Sequence, residues 1–199
     1  YKNSIDNIVI SGQGGSAIGG LIVKNLLKEE SSIPIIINQD YAIPAFVNER
    51  TLFIASSYSG DTEETISALK KAESKKSNIF CICSGGEILK ISIERDYNYI
   101  LIPSGGAPRA MLCYSIVQIL FLVFIINNNS TEDLKELLLS SKDILKNQQN
   151  NIVELANSVV SKISNKMPFI YTFPEFEGVA LRFKQQLNEN SKRHACYNI

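Results

Sequence analysis

From residue 7 to residue 126, short apolar runs alternate with longer helical ones, and this alternation constrains the fold more than any other feature. Strand-like stretches at 7–11, 33–38, 51–56, 78–83 and 99–102 are interleaved with helical stretches at 17–28, 63–76 and 108–126. The pattern predicts an α/β fold, a doubly wound parallel sheet wrapped by helices. Ile35-Ile36-Ile37 and Leu52-Phe53-Ile54-Ala55 carry no polar alternation, as strands covered on both faces require. In such sheets ligands sit beyond the carboxyl ends of the strands.

Two glycine- and hydroxyl-rich turns fall at that end. Gly12-Gln13-Gly14-Gly15-Ser16 follows the first strand, and Ser57-Tyr58-Ser59-Gly60-Asp61-Thr62 follows the third. Backbone N–H groups at a strand-to-helix turn attract phosphate because the following helix points its positive end there, and serine or threonine hydroxyls add donors without bulk. The two turns are expected to converge on one pocket for an anion, a sugar phosphate above all.

Rival readings exist for each motif. Gly12-x-Gly14-x-x-Ala17, with Asp40 closing the second strand, fits the dinucleotide fingerprint. The crowd of hydroxyls at Ser57, Ser59 and Thr62 is something a nucleotide fold does not need and a phosphate monoester uses. A P-loop is excluded, since no Gly-Lys-Ser/Thr occurs. Asp61 with Glu64 forms a possible capping box, a purely structural alternative for that turn. In Ser104-Gly105-Gly106-Ala107-Pro108-Arg109, Pro108 suits a first helical position, so Arg109 is expected in the first turn, opposing the helix's own positive end. An anion should sit beside it, unless a local carboxylate pairs with it. On the terminal helical stretch, about 175–192, Phe176, Val179, Ala180, Phe183 and Leu187 share an apolar stripe and Glu189 points away from it, the usual pattern of a solvated helix end.

Charge and composition narrow the partners. Lys+Arg and Asp+Glu number 20 each, which leaves no net field to draw the chain onto nucleic acid or an anionic membrane. The four cysteines, Cys81, Cys83, Cys113 and Cys196, lack the spacing of a secreted framework, and the single histidine, His194, leaves a zinc site short of nitrogen ligands. No basic segment followed by an apolar one precedes the first strand, so a cytoplasmic protein is expected. The apolar stretch 110–126 falls short of the ~20 residues of a membrane span and reads as a buried helix.

Beyond residue 127 the pattern turns wholly helical. Leu134, Leu137, Leu138 and Leu145 mark one amphipathic helix; Ile152, Leu155, Ala156, Val159, Val160 and Ile163 mark another. A strand at 168–173 and the terminal helix then restart the alternation. The expected organisation is a first domain at 1–128, connecting helices at 129–165, and the opening of an incomplete second domain at 166–199.

Four blocks in order carry a family resemblance: Gly12 to Gly20, Ser57 to Thr65, Ala107-Pro108-Arg109-Ala110, and Leu187-Asn188-Glu189-Asn190-Ser191-Lys192. They resemble the bifunctional phosphoglucose/phosphomannose isomerases of the sugar isomerase (SIS) superfamily. The resemblance implies two doubly wound, flavodoxin-like SIS domains with three layers each, and a homodimer whose interface holds the active site. It implies that Gly15, Ser16, Ser57, Ser59 and Thr62 bind a hexose 6-phosphate, that Arg109 stabilises charge on the reacting sugar, and that Glu189 is the isomerisation base. Glucose 6-phosphate or mannose 6-phosphate would be interconverted with fructose 6-phosphate through a cis-enediolate, which needs a carboxylate and a cation but no metal or redox cofactor. The family's Asn-His-Asn-Glu segment, source of its ring-opening histidine, and its late lysine have no match here; His194 does not fit that context. A non-catalytic sugar-phosphate-binding SIS module and a nicotinamide-dinucleotide domain are the alternatives.

Overall fold

The computed structural model describes residues 5–199. Five parallel strands pair in the order β2-β1-β3-β4-β5: β1 Asn7–Ser11, β2 Ile35–Asn38, β3 Thr51–Ser57, β4 Asn78–Cys83 and β5 Asn98–Leu101. Between them run α1 Gly14–Leu26, α2 Glu63–Ser74 and α3 Gly86–Glu94, and after β5 comes α4 Leu112–Ile126. The order reverses direction between β1 and β3, which lie side by side with Val9 opposite Phe53 and Ser11 opposite Ala55. A crevice opens at the carboxyl ends of two strands whose connections leave on opposite faces. Both glycine- and hydroxyl-rich turns leave the sheet at that crevice.

Successive side chains of a strand point to opposite faces, so each buried strand feeds two cores. Ile8, Ile10, Leu52, Ile54 and Ile82 pack with Val23 of α1 and Ile119 and Val123 of α4. Val9, Phe53, Cys81 and Cys83 pack on the other side with Ala68, Leu69 and Ala72 of α2 and Ile88 of α3. Three layers result, and β3 is buried along its whole length. Burial pushes the Cys81 thiol up from 9.0 to about 11, so it resists deprotonation as well as access. Iodoacetamide at pH 8 is therefore expected to label exposed Cys113 rapidly and to reach buried Cys81 and Cys83 only after unfolding. Mass mapping of the labelled peptides checks this, and prompt labelling of Cys81 in the folded protein would contradict the packing.

Several expected boundaries shift. Helix α1 begins at Gly14 rather than at residue 17, so Gly15 and Ser16 lie in its first turn. Helix α3 has no clear helical signal in the sequence because it is short and opens on Ser84-Gly85-Gly86, a turn signal. The stretch 108–126 divides into a single 3-10 turn, Pro108–Ala110, and α4, with Met111 between them at φ −96° and ψ 4°. Arg109 thus occupies its own turn rather than the first turn of α4. Helix α4 buries Ile119, Leu120, Leu122 and Val123, and no helix among the described residues is long and apolar enough to cross a membrane.

After α4 come α5 Thr131–Asn147 and α6 Gln149–Ile163. Ser130 caps α5 by accepting from the Asp133 backbone N–H, yet α5 buries only Leu134 and α6 buries nothing. Strand β6 Phe169–Tyr171, a 3-10 turn at Pro174–Phe176, helix α7 Glu177–Asn190 and strand β7 Cys196–Asn198 follow. The last two strands pair in parallel across α7, Phe169 opposite Cys196, and form a separate two-stranded sheet.

Candidate active site

The site is built where β1 and β3 end. Gly12 backs directly onto the third strand, for a Cβ there would meet the Ser56 carbonyl oxygen at 2.7 Å. The Gly12 N–H is held by the Asn38 carbonyl at 3.1 Å, and the Gln13 side-chain amide donates to the Gln39 carbonyl at 2.6 Å. These contacts fix the turn; within it the Ser16 N–H donates back to the Gln13 carbonyl at 3.1 Å, while Gly15 borders the cavity at the start of α1. Neither the glycines nor Ser16 block that end.

The second turn is fastened on three sides. Gly60 adopts the left-handed φ of +78° and lies against the Gly85 backbone. Its carbonyl accepts from the Ile88 N–H at 2.9 Å, and the Asp61 carboxylate accepts from the Glu87 N–H at 2.8 Å. The alternative of a capping box is not realised, because Asp61 is spent on α3 and Thr62, the N-cap of α2, makes no capping bond. The Tyr58 hydroxyl donates to the Gly106 carbonyl at 3.0 Å and accepts from its N–H at 2.9 Å, tying this turn to the Ser104–Gly106 loop. The Pro108 carbonyl lies 3.8 Å from where a Cβ on Gly15 would be, so the Arg109 turn overhangs the start of α1.

A cavity of about 310 Å³ lies between these turns. Gly15 and Ser16 line one side, Ser59 and Thr62 the other, and Arg109 and Glu189 complete the wall. Ser57 lies beneath the wall rather than in it: it is 2% exposed, and its hydroxyl pairs with Thr62 Oγ1 at 2.7 Å and accepts from the Gly60 N–H at 3.1 Å. Ser56, itself 1% exposed, borders the cavity at the end of β3, and nothing in its strand position signals this. Asp40, the acid of the dinucleotide reading, does not line this cavity, and its carboxylate accepts from the Ala42 N–H at 3.3 Å.

Glu189 arrives from far along the chain. Helix α7 docks on α1 through Gly178, where a Cβ would meet Ile22 at 2.8 Å. Only a glycine permits that approach, and it turns Gly178, Arg182 and Glu189 toward the first domain. The apolar stripe expected to face a core is on the outside: Val179 is 54% and Phe183 44% exposed, Ala180 alone of that set being buried. Glu189 faces away from the stripe, as its position predicts, and so faces the cavity. Arg182, 8% exposed, also lines the cavity and donates through Nη2 to the Arg109 carbonyl at 2.9 Å. Its only sequence signal is spacing, seven residues or nearly two full turns before Glu189. Arg109, Arg182 and Glu189 form no ion pair with any described residue. With two guanidinium groups, one carboxylate, hydroxyls and a helix N-terminus, the cavity is suited to a phosphorylated polyol that reacts near a carboxylate.

The SIS domain family model matches residues 3–126, which take in the whole five-stranded unit with its turns. The chain belongs to the SIS-domain family. The model of the bacterial phospho-glucose isomerase C-terminal SIS domain matches residues 152–199. This SIS-domain chain is 38% identical to the bifunctional phosphoglucose/phosphomannose isomerase of Caldicellulosiruptor bescii, over 98% of its own length and 59% of that relative's. It is 40% identical to the enzyme of the same name from Thermoplasma volcanium, over 97% of itself and 59% of the relative. The SIS-domain chain thus spans about three-fifths of the length of the curated relatives it matches. Its fold is that of the C-terminal domain of glucosamine-fructose-6-phosphate aminotransferase from Francisella tularensis, with a TM-score of 0.77 at 17% identity, covering 98% of this chain and 59% of that one. Tagatose-6-phosphate ketose/aldose isomerase from Escherichia coli superposes with a TM-score of 0.71 at 17% identity, covering 98% and 56%.

Proposed function

We propose that this SIS-domain protein interconverts glucose 6-phosphate, mannose 6-phosphate or both with fructose 6-phosphate. The observation that carries the reading is the meeting of Glu189 and Arg109 with Ser16, Ser59 and Thr62 around one cavity. The names of its relatives support the same substrate class. In this reading the first-turn N–H group at Gly15 and the hydroxyls of Ser16, Ser59 and Thr62 hold the phosphate dianion, the Ser16 N–H being spent on the Gln13 carbonyl. Ser57 serves it indirectly, by fixing the Thr62 hydroxyl. The Glu189 carboxylate takes the proton from C2 of the open-chain aldose and returns it to C1, while a proton passes from O2 to O1. C2 is oxidised to the ketone and C1 reduced to the alcohol within one molecule, so electrons balance with no external partner. The Arg109 guanidinium stabilises the enediolate oxygens between the two transfers.

The organisation that goes with this reading is a first SIS domain at 1–128, connecting helices at 129–165, and the opening of a second SIS domain at 166–199. The parallel β6-α7-β7 unit and the match to a C-terminal SIS model support that division. A cytoplasmic homodimer, with the active site at its interface, completes the reading. Its support is the apolar surface of α5 and α6, where Leu137 is 62%, Leu145 63%, Leu155 66% and Val160 59% exposed.

A coupled assay on the intact protein with each hexose 6-phosphate tests the reaction; turnover supports it, whereas binding without turnover favours a sugar-phosphate-sensing module. Ser16 gives a sharper check, because its hydroxyl has no hydrogen-bond partner among the described residues and its loss costs the fold nothing specific. Ser16→Ala is expected to weaken fructose 6-phosphate binding about tenfold, the loss of one charge-assisted hydrogen bond, with an unchanged melting temperature. Calorimetric titration measures it, and undiminished affinity would remove Ser16 from the phosphate site.

A further inference from the structure

Arg182 is a buried cation that forms no ion pair with a carboxylate among the described residues. It is 8% exposed, and its Nε is buried without a hydrogen-bond partner. A buried charge left uncompensated costs stability, and replacing such a group by an apolar one of similar volume is often neutral or stabilising. Folding alone therefore gives no reason for an arginine here. What the side chain does is reach across from α7 to the Arg109 turn: Nη2 donates to the Arg109 carbonyl at 2.9 Å, while Nη1 meets Gln185 Oε1 at 3.4 Å. Gln186, on the next turn of the same helix face, donates to the same carbonyl at 3.5 Å. The turn it grips is a single 3-10 turn whose own residues are not buried. Apart from its own backbone bonds and the Tyr58 clamp on Gly106, what holds the turn is its hydrogen bonding to α7.

We propose that Arg182 is a positioning residue that locks the Arg109 turn to α7, so that the oxyanion-stabilising guanidinium and the Glu189 carboxylate ride on one rigid frame. The inference rests on the isomerase reading for its kinetic consequence but not for its structural one. Arg182 and Glu189 stand on the same face of α7, so any movement of α7 carries the base and the anchor of Arg109 together. A misplacement of about 1 Å in a catalytic group lowers turnover by roughly 10²-fold.

The test pairs Arg182→Met, which fills the space without a charge or donor, with Arg182→Lys, which keeps one donor. In the intact protein, Arg182→Met is expected to melt no lower than the native chain, to lose about 10²-fold in kcat, and to shift KM by less than about threefold. Arg182→Lys should recover at least about tenfold of that loss, since a charged donor to the Arg109 carbonyl remains beside the longer bond from Gln186. In an Arg109→Ala background the Met replacement should cost almost nothing further, because the group it positions is gone. Trypsin reads the same lock without turnover: cleavage after Arg109 should quicken about tenfold in Arg182→Met as the turn opens locally, and much less in Arg182→Lys. Unchanged cleavage after Arg109 in Arg182→Met overturns the proposal, as does a kinetic loss that multiplies in full with Arg109→Ala. Should Arg182→Met fail to fold, native-like cleavage and kcat in Arg182→Lys support the lock, and cleavage after Arg109 quickened about tenfold or kcat lowered about 10²-fold in Arg182→Lys overturns it. If the native protein turns over no hexose phosphate, the isomerase reading falls and the trypsin comparison still decides the role of Arg182.

Discussion

Glu189→Gln is expected to lower kcat for hexose 6-phosphate isomerisation by about 10³-fold, the contribution of a well-placed general base. Affinity for fructose 6-phosphate should stay within about threefold, because the phosphate is held by groups on α1 and α2 rather than by α7. Glutamine keeps the length and shape of the side chain but accepts no proton at neutral pH. Glu189 is exposed and makes no ion pair among the described residues, so the neutral replacement leaves no buried partner stranded and the fold should be indifferent to it. Deuterium from solvent should cease to enter C2 of the recovered aldose in step with the loss of turnover. Near-native kcat in Glu189→Gln would place the base elsewhere.

Gly60→Ala is expected to cost about 4 kcal/mol, near the top of the range for single substitutions, and to lower the melting temperature by roughly 10 °C in a chain of this size. Two effects add. A residue other than glycine is strained at φ +78°, and a Cβ would lie 2.7 Å from the Gly85 carbonyl carbon and nearer still to its oxygen. Both contacts are backbone, so neither can rotate away. Gly105→Ala is the control, since Gly105 has a similar φ of +84° but nothing within 4 Å of the added methyl. It should show the strain alone, about 1 kcal/mol. If the two variants melt together, the close approach of the second turn to α3 is not what holds the site. Phosphosugar binding should fail with Gly60→Ala as well, because Ser59 and Thr62 flank the displaced residue.

Particular elements separate local from long-range information. Strand β1 and strand β4 occupy the residues their apolar runs predict, because a strand covered on both faces must be apolar throughout and short. Helix α3 was invisible because Ser84-Gly85-Gly86 signals a turn, while its stability comes from Ile88 and Ile91 packing under the sheet and from Asp61 reaching its first turn. The stripe of Val179 and Phe183 predicted a core and instead faces outward, since periodicity identifies a face without saying what covers it. Arg109 keeps its place at the cavity although the helix-dipole argument for it fails, for it stands in a separate turn before α4.

The sequence by itself determined the parallel three-layer fold, the placing of both hydroxyl turns at the carboxyl ends of neighbouring strands, and the family to which the four motif blocks point. Those features follow from periods of two and 3.6 residues and from turn glycines, all of which act over a few neighbours. Only the tertiary structure decided that the Ser57 hydroxyl is spent on Thr62 and Gly60 beneath the cavity wall, and that Arg182 grips the Arg109 carbonyl. The reason is that α7 reaches the site by packing on α1, with Gly178 against Ile22, and a contact between residues so distant along the chain is set by packing that no local pattern encodes.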